Sequence, residues 1–304
     1  MFSVVIPLYN KEDYILETVN SVLNQTMPNF ELIVVDDGST DASVEVLNKN
    51  VNDDRLRMIS IPNSGVSVAR NTGIETARFN WIALLDADDW WDLSFLAEME
   101  KAIKSFPNEF IFASGRSRVF EKQIERYNNP YLPSEGKMDV VNYFKVIQKY
   151  LPLINSSNVV IKKGIFEKYG YFKKGQKRHE DHDCWLRLCV ENDIVFMNKN
   201  LSFYRKATQS SASQSQYTAT DFALYLDTLI EVKNRLKGQN RIYFKRYYRR
   251  FSTLVYMQYS YKFTKEERQG IKNKLKKLLG KTSTSLLKIY DVFPMHKVYE
   301  SMRN

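Results

Sequence analysis

Three polar clusters, each trailing an apolar run, hold side chains that could do chemistry. Asp86-Ala87-Asp88-Asp89 follows the run Trp81 to Leu85. Carboxylates crowded at a strand end are stable together when they share a divalent cation, and Mg2+ and Mn2+ favour such oxygen ligands alongside diphosphates. A helix cap at Asp89 or Asp92, about 1 kcal/mol, would explain one of these aspartates and not three. Asp36-Asp37-Gly38-Ser39-Thr40-Asp41 has ordinary turn chemistry, with Thr40 or Asp41 able to cap the next helix. Asp37 would nonetheless stand at a strand end beside Tyr9, where the ring could stack on a base and the carboxylate could accept a hydrogen bond from a uracil-like N–H. Gly65-Val66-Ser67-Val68-Ala69-Arg70-Asn71 opens a helix with a glycine and sets Arg70 about one turn in, where it could reach a diphosphate.

A fourth cluster, Arg178-His179-Glu180-Asp181-His182-Asp183-Cys184-Trp185-Leu186-Arg187, lies in the second half. His179 and His182, three apart, could share a helical face as metal ligands, but no cysteine accompanies them. Neither GxxxxGK(S/T) nor GxGxxG occurs anywhere, which argues against NTPase and dehydrogenase chemistry.

The elements that must position these clusters can be read from periodicity. Short β-branched runs at Ser3 to Leu8, Glu31 to Val35, Leu56 to Ile61, Trp81 to Leu85 and Phe110 to Ala113 alternate with helical patterns at Tyr14 to Leu23, Ala42 to Asn48, Val66 to Ala77 and Leu93 to Phe106. Such βαβ alternation predicts an α/β fold with a mostly parallel central sheet flanked by helices, whose ligands sit beyond the carboxyl ends of the strands. Pro7-Leu8-Tyr9-Asn10, Asp36-Asp37-Gly38-Ser39 and Asp86-Ala87-Asp88-Asp89 each end a strand there, three polar clusters on one edge. After Gly115 the pattern becomes irregular, with helical stretches expected around Val140 to Tyr150 and Asp183 to Glu191. A Ser/Gln-rich stretch from Ala207 to Ser215 reads as a linker or loop. Beyond it, Phe244, Tyr247, Tyr248, Phe251, Val255 and Tyr259 keep helical spacing, as do Ile271, Leu275, Leu278 and Leu279. The expected organisation is a catalytic domain over 1–216, with a nucleotide half over about 1–115 and an acceptor half over about 116–216, then a helical region over 217–304.

Pro7-Leu8-Tyr9-Asn10, Asp36-Asp37-Gly38-Ser39, Arg70-Asn71 and Asp86-Ala87-Asp88-Asp89 together resemble, in residues and in spacing, the family-2 inverting glycosyltransferases of the GT-A fold, the nucleotide-diphospho-sugar transferase fold. The resemblance covers about the first two-thirds of the chain. It implies transfer of a sugar from a nucleotide-diphosphate donor, expected to be a UDP-sugar, to an acceptor hydroxyl. It implies a donor site of Pro7, Tyr9, Asn10, Glu12, Asp37, Arg70, Asn71, Asp86, Ala87 and Asp88, with Asp88 holding Mn2+ or Mg2+. Glu180-Asp181 matches the family's ED motif, which makes Asp181 the general base and puts Glu180, Trp185 and Arg187 beside the acceptor or in support of it. A partly buried carboxylate is expected to have a raised pKa suited to that task. Tyr204-Arg205-Lys206-Ala207 resembles a segment in which a metal-binding histidine often stands where this chain has Ala207. The transmembrane helices and Gln-x-x-Arg-Trp motif of processive relatives are absent, so one sugar per encounter is expected. A sugar-phosphate nucleotidyltransferase would want a glycine-rich N-terminal phosphate loop, which is missing. A non-catalytic sugar-nucleotide or membrane-surface binding module would not need both the aspartate cluster and Asp181.

Composition adds a compartment and a partner. Two cysteines, Cys184 and Cys189, fit neither a disulfide framework nor a CxxC site and suit a reducing cytoplasm. No signal-like N-terminus and no run of roughly 18 apolar residues is present. From Lys233 to Lys281 there are sixteen Lys and Arg against two Glu, or +14, which leaves −4 for the rest of a chain whose total is +10. Aromatics interleaved with these cations suit an anionic membrane surface, which would bring the site to a lipid-linked glycan of surface polysaccharide synthesis. Single-stranded nucleic acid would suit the same pattern but not the acidic remainder.

Overall fold

The computed structural model describes residues 1–206 and 217–280. The Ser/Gln-rich stretch, Ala207 and Lys281 lie outside the described residues. One mixed sheet organises the chain. Strands β1 (Phe2–Leu8), β2 (Phe30–Asp36), β3 (Leu56–Ser60) and β4 (Trp81–Leu84) are parallel in the order β3-β2-β1-β4, joined by α1 (Ile15–Leu23), α2 (Ser43–Asn50) and α3 (Val66–Thr76). Burial on both faces explains why β1, β2 and β4 read as apolar runs, while β3 at the sheet edge is only half-buried. Val5, Ile33, Ile82 and Leu84 enter one core, while Phe2, Val4, Ile6, Leu8, Leu32 and Val34 enter the other.

Beyond β4 the sheet turns mixed. β5 (Trp90–Trp91) and α4 (Phe95–Ser105) lead to β6 (Ile111–Val119), β7 (Ile124–Arg126), β8 (Met138–Val141), α5 (Tyr143–Ile147), β9 (Val159–Lys162), α6 (Lys163–Tyr169), α7 (Glu180–Leu188) and β10 (Ile194–Arg205). β9 runs antiparallel between β4 and β6, and β10 runs parallel to β6. The helix expected over Val140 to Tyr150 is instead the end of β8 followed by the single-turn α5. Asn142 separates them because its side chain accepts from the Lys145 amide and caps α5. α7 begins at Glu180, three residues before the sequence pattern indicated.

The C-terminal helices are α8 (Ala219–Arg235), α9 (Gly238–Tyr259) and α10 (Lys265–Leu279). Capping boxes at Thr218/Asp221 and Thr264/Glu267 start the first and third. α8 packs on α7 and α9 on α5, so Phe222, Tyr225, Phe244, Tyr248 and Tyr256 share a core with Trp185 and Phe144 of the body. The expected stripe of α9 is buried at Phe244, Tyr247, Tyr248 and Val255, while Arg241, Ile242, Lys245, Arg246, Arg249 and Arg250 are exposed. Arg246 and Arg250 also tie α9 to the loop after α5, through Gln148 Oε1 (2.8 Å) and the Ile147 and Lys149 carbonyls (each 3.3 Å). Among the described residues no helix is long and apolar enough to cross a membrane.

α3 lies against β1 at Gly73. A Cβ built there would stand 2.3 Å from Val5 Cγ1, so only glycine lets the helix sit this low on the sheet. Gly73→Val should therefore overpack the contact and cost about 1–3 kcal/mol of stability, read as a Tm lowered by a few degrees. An unchanged Tm would mean that α3 does not rest on β1.

Candidate active site

The carboxyl ends of β1 and β2 and the start of α3 meet in a network of short hydrogen bonds. Pro7 lies beyond the last residue that β1 pairs with β4, Val5, so its missing N–H costs no ladder bond. Tyr9 projects, 45% exposed. Asn10, at φ +50, locks the two loops together: its Oδ1 accepts from the Thr40 amide (2.8 Å) and its amide donates to Ser39 Oγ (3.2 Å). Glu12 accepts from the Ala42 amide at the start of α2 (2.8 Å). Asp41 does the turn work, accepting from the Ser43 amide and hydroxyl. Asp37, buried, accepts from the backbone amides of Ser64 (2.7 Å) and Gly65 (2.8 Å). Gly65 at φ +91 aims that amide, a conformation that favours glycine.

Arg70 joins the distant clusters. Its buried guanidinium donates to Asp86 Oδ1 (2.7 Å) and to Glu180 Oε1 (3.1 Å), and it lies over the Phe172 ring at 5.2 Å. Burial works against its charge, but Asp86 and Glu180 outweigh it and raise its pKa. Asn71, expected at the donor, holds both backbone groups of Phe172, accepting from its N–H (3.0 Å) and donating to its carbonyl (2.8 Å). It therefore fixes the chain under Arg70. In the aspartate cluster, Asp88 receives Lys11 Nζ at 2.7 Å, and the Ala87 carbonyl accepts from Thr18 Oγ1 (3.0 Å). Asp89 is fully buried between the Ser157 hydroxyl and the Arg205 amide, and burial, then Asp88 and Asp86, push its pKa well up.

Glu180 and Asp181 begin α7, directly after His179. His179 takes the left-handed conformation (φ +60), with its ring packed against Tyr217, Tyr225, Phe251 and His182 at 5.0–5.4 Å. Burial, then His182, pulls its pKa down to about 3, so it is a neutral packing group. The expected raised pKa of Asp181 is corrected by the structure. Burial does act to raise it, but His182, Arg70 and the His182 amide bonded to Oδ1 (2.7 Å) together hold it below the ordinary value. Glu180 is the raised one, pushed to about 7 by burial and by Asp181 against the pull of Arg70. Trp185 is fully buried edge-on to Phe172, and Arg187 donates to Asp183 and to the Tyr169, Gly170 and Tyr171 carbonyls. Both support the site from the core and neither faces an acceptor.

Lys11, Ser157 and Arg205 also belong to the site. Lys11 could have been found as the cation in the loop after β1. Ser157 sits in a stretch with no periodic signal. Arg205 donates to the Asp88 carbonyl (3.2 Å) and to Glu17, with its guanidinium between the Tyr14 and Trp90 rings. Among the described residues no three His, Cys, Asp or Glu side chains converge on a metal-sized point, His179 and His182 included. Asp86 and Asp88 thus form no all-protein cage. Each is bonded to a cation of the chain, Asp88 to Lys11 and Asp86 to Arg70, so a divalent ion there would draw most of its oxygens from phosphate and water, the usual habit of Mg2+.

The sequence profile of glycosyl transferase family 2 matches residues 3–184. Glycosyltransferase GlyA of Streptococcus pneumoniae is 28% identical over 214 residues, 67% of this chain but 30% of GlyA, so the chain spans under a third of that relative. An uncharacterized glycosyltransferase of Haemophilus influenzae is 30% identical over 223 residues, covering 70% of this chain and 82% of that protein. The putative teichuronic acid biosynthesis glycosyltransferase TuaG of Bacillus subtilis is 29% identical over 210 residues, 66% of this chain and 82% of TuaG. In fold, S. aureus TarS 1–349 in complex with UDP-GlcNAc superposes with a TM-score of 0.75 at 19% identity, covering 99% of this chain and 91% of that one. The profile takes in every cluster from Pro7 to Asp181, and the chain belongs to glycosyl transferase family 2.

Proposed function

We propose that this chain is an inverting glycosyltransferase that moves a sugar from a UDP-sugar to a hydroxyl of a glycan or lipid-linked glycan in surface polysaccharide synthesis. The observation that carries it is Arg70 bonded at once to Asp86 and Glu180, which brings the aspartate cluster and the ED motif, almost a hundred positions apart, to one guanidinium. The TarS complexes with UDP-GlcNAc and UDP, and the name of TuaG, support the donor and pathway class.

In this reading Tyr9 stacks on the base, while the buried Asp37 holds the Gly65 turn and faces the base N–H. Asp181, ionised at neutral pH, accepts the proton of the acceptor hydroxyl as its oxygen bonds to the anomeric carbon. The bond from that carbon to the diphosphate oxygen breaks on the opposite side, and its electron pair leaves with the nucleoside diphosphate. Arg70 and Lys11 are the cations that face the negative charge gathering on the diphosphate. Mn2+ or Mg2+ held by Asp88, with Asp86 beside it, would neutralise the same leaving group. Glu180 orients Arg70.

Three outcomes test this. Asp181→Asn should keep UDP-sugar binding and lose about 10²–10⁴ in transfer rate, and undiminished turnover would remove Asp181 as the base. A thermal-shift panel of nucleotide sugars should show one donor stabilising the chain more with Mn2+ than with chelator. A response to no donor would argue against the enzyme reading, and an equal response in chelator would argue against the metal. The exposed cationic face of α9 should carry the chain to the top of a flotation gradient with anionic vesicles at low salt and not with neutral ones. Failure to float would remove the membrane partner.

A further inference from the structure

A set of cations on the acceptor half is used by none of the steps above. Along the parallel β6–β10 ladder Arg116 is in register with Ser202 and Arg118 with Tyr204, and the Lys206 amide extends the ladder by donating to the Val119 carbonyl (2.8 Å). Side chains two apart on a strand share a face, so Arg116, Arg118, Tyr204 and Lys206 lie together. Arg116 is buried, with its guanidinium donating to the Leu153 (2.6 Å) and Pro152 (2.8 Å) carbonyls and stacked over Tyr127 at 4.2 Å. Among the described residues no carboxylate forms an ion pair with it or with Arg118 or Lys206. Glu125, in register with Arg118 on β7, accepts from Gln123 instead. Both oxygens of Asp89, the acidic neighbour of Lys206, are already engaged by Ser157 and Arg205.

These cations hold one another at a cost. Burial and then Arg118 lower the pKa of Lys206, and burial brings Arg116 down to about 10, with Tyr127 opposing it, Arg118 adding to it and Asp181 opposing it less. Like charges gathered beside Glu125 and Asp89 but ion-paired to neither destabilise the free protein and are relieved by an anion. The donor diphosphate already has Arg70 and Lys11, which come from other elements. Lys206 follows Arg205, whose amide bonds Asp89, and the loop that takes the Arg116 guanidinium at Pro152 and Leu153 runs on to Ser157, which bonds both Asp89 and the Asp86 amide, so an anion bound here lies beside the aspartate cluster.

We propose that Arg118 and Lys206, backed by Arg116, form a phosphate subsite for the acceptor, which carries a phosphomonoester or phosphodiester close to the hydroxyl that Asp181 deprotonates. The proposal rests on the glycosyltransferase reading for the role of Asp181, but the subsite can be measured without turnover.

The test uses the full chain, with sn-glycerol 3-phosphate as probe, glycerol as neutral control and titration calorimetry at low salt, in the absence and presence of saturating UDP. Glycerol 3-phosphate should bind and glycerol should not, and UDP should leave that binding intact. The double variant Arg118→Gln/Lys206→Met should weaken the phosphate by about tenfold or more, the loss of charge-assisted hydrogen bonds, with its UDP affinity unchanged. Both side chains are partly exposed, and the Tm of the variant verifies that it folds. Three results would overturn the subsite: no binding of the probe, displacement of the probe by UDP, which would assign these cations to the donor, or binding unaffected by the double variant, which would move it to another basic face such as α9. Phosphate binding without any UDP binding would leave the subsite standing and sink the donor reading instead.

Discussion

A buried arginine between two carboxylates is the constraint on which the site depends. Arg70 reaches Asp86 and Glu180 because α3 is pressed onto β1, and it is pressed there because Gly73, three residues on, has no side chain to hold it away from Val5. A buried ion pair is expensive to desolvate, and removal of one partner leaves an uncompensated charge. Arg70 therefore cannot be lost without leaving Asp86 and Glu180 crowded among further acids. The same bonds that could steady a leaving diphosphate also keep the apo site folded.

The C-terminal helices belong to this constraint. His179 holds a backbone conformation that non-glycine residues seldom take, and such conformations persist where the surroundings over-determine them. Here the surroundings are Tyr217, Tyr225 of α8 and Phe251 of α9, which close around the imidazole. Asp183 adds a second tie, accepting from Arg187 on its own helix and from Thr228 on α8. The first turn of α7, with both acids of the ED motif, is thus set from below by helices that follow it in sequence and lie beyond the family match at residue 184. The basic α9, through Phe251, is part of what holds the start of α7.

What the sequence made legible follows physical lines. β1, β2 and β4 are readable because burial on both faces makes them largely apolar runs, whereas the edge strand β3 shows by alternation, and the polar residues after β1, β2 and β4 mark the site edge. β9 escaped notice because four residues, Val159–Lys162, are too few to show a period and follow the polar stretch Ser156-Ser157-Asn158. β10 escaped because register shifts around Asn200 break its alternation. Within the site, the residue types were readable while their assignments depended on distant partners. Asn71 looked like a donor contact and is bonded to Phe172, a hundred positions away. The pKa of Asp181 does not follow from burial alone, because His182 beside it, and then Arg70 from another part of the chain, oppose burial.

That correction bears on how two adjacent acids divide the work. Like charges side by side push their pKa values apart, and the environment decides which goes up. Glu180, deep against Arg70 and beside an ionised neighbour, sits at about 7 and carries a proton part of the time at neutral pH. Asp181, next to His182 and its amide, stays ionised and so is the one able to accept a proton. If Asp181 takes the acceptor proton, its charge disappears, and of the two causes that raise Glu180 only the larger, burial, is left. Glu180 then ionises more fully and tightens on Arg70 as negative charge is leaving toward the diphosphate. In the proposed reaction the pair would so pass negative charge from Asp181 to Glu180, on the side of Arg70, while Asp86 keeps its own bond to that guanidinium.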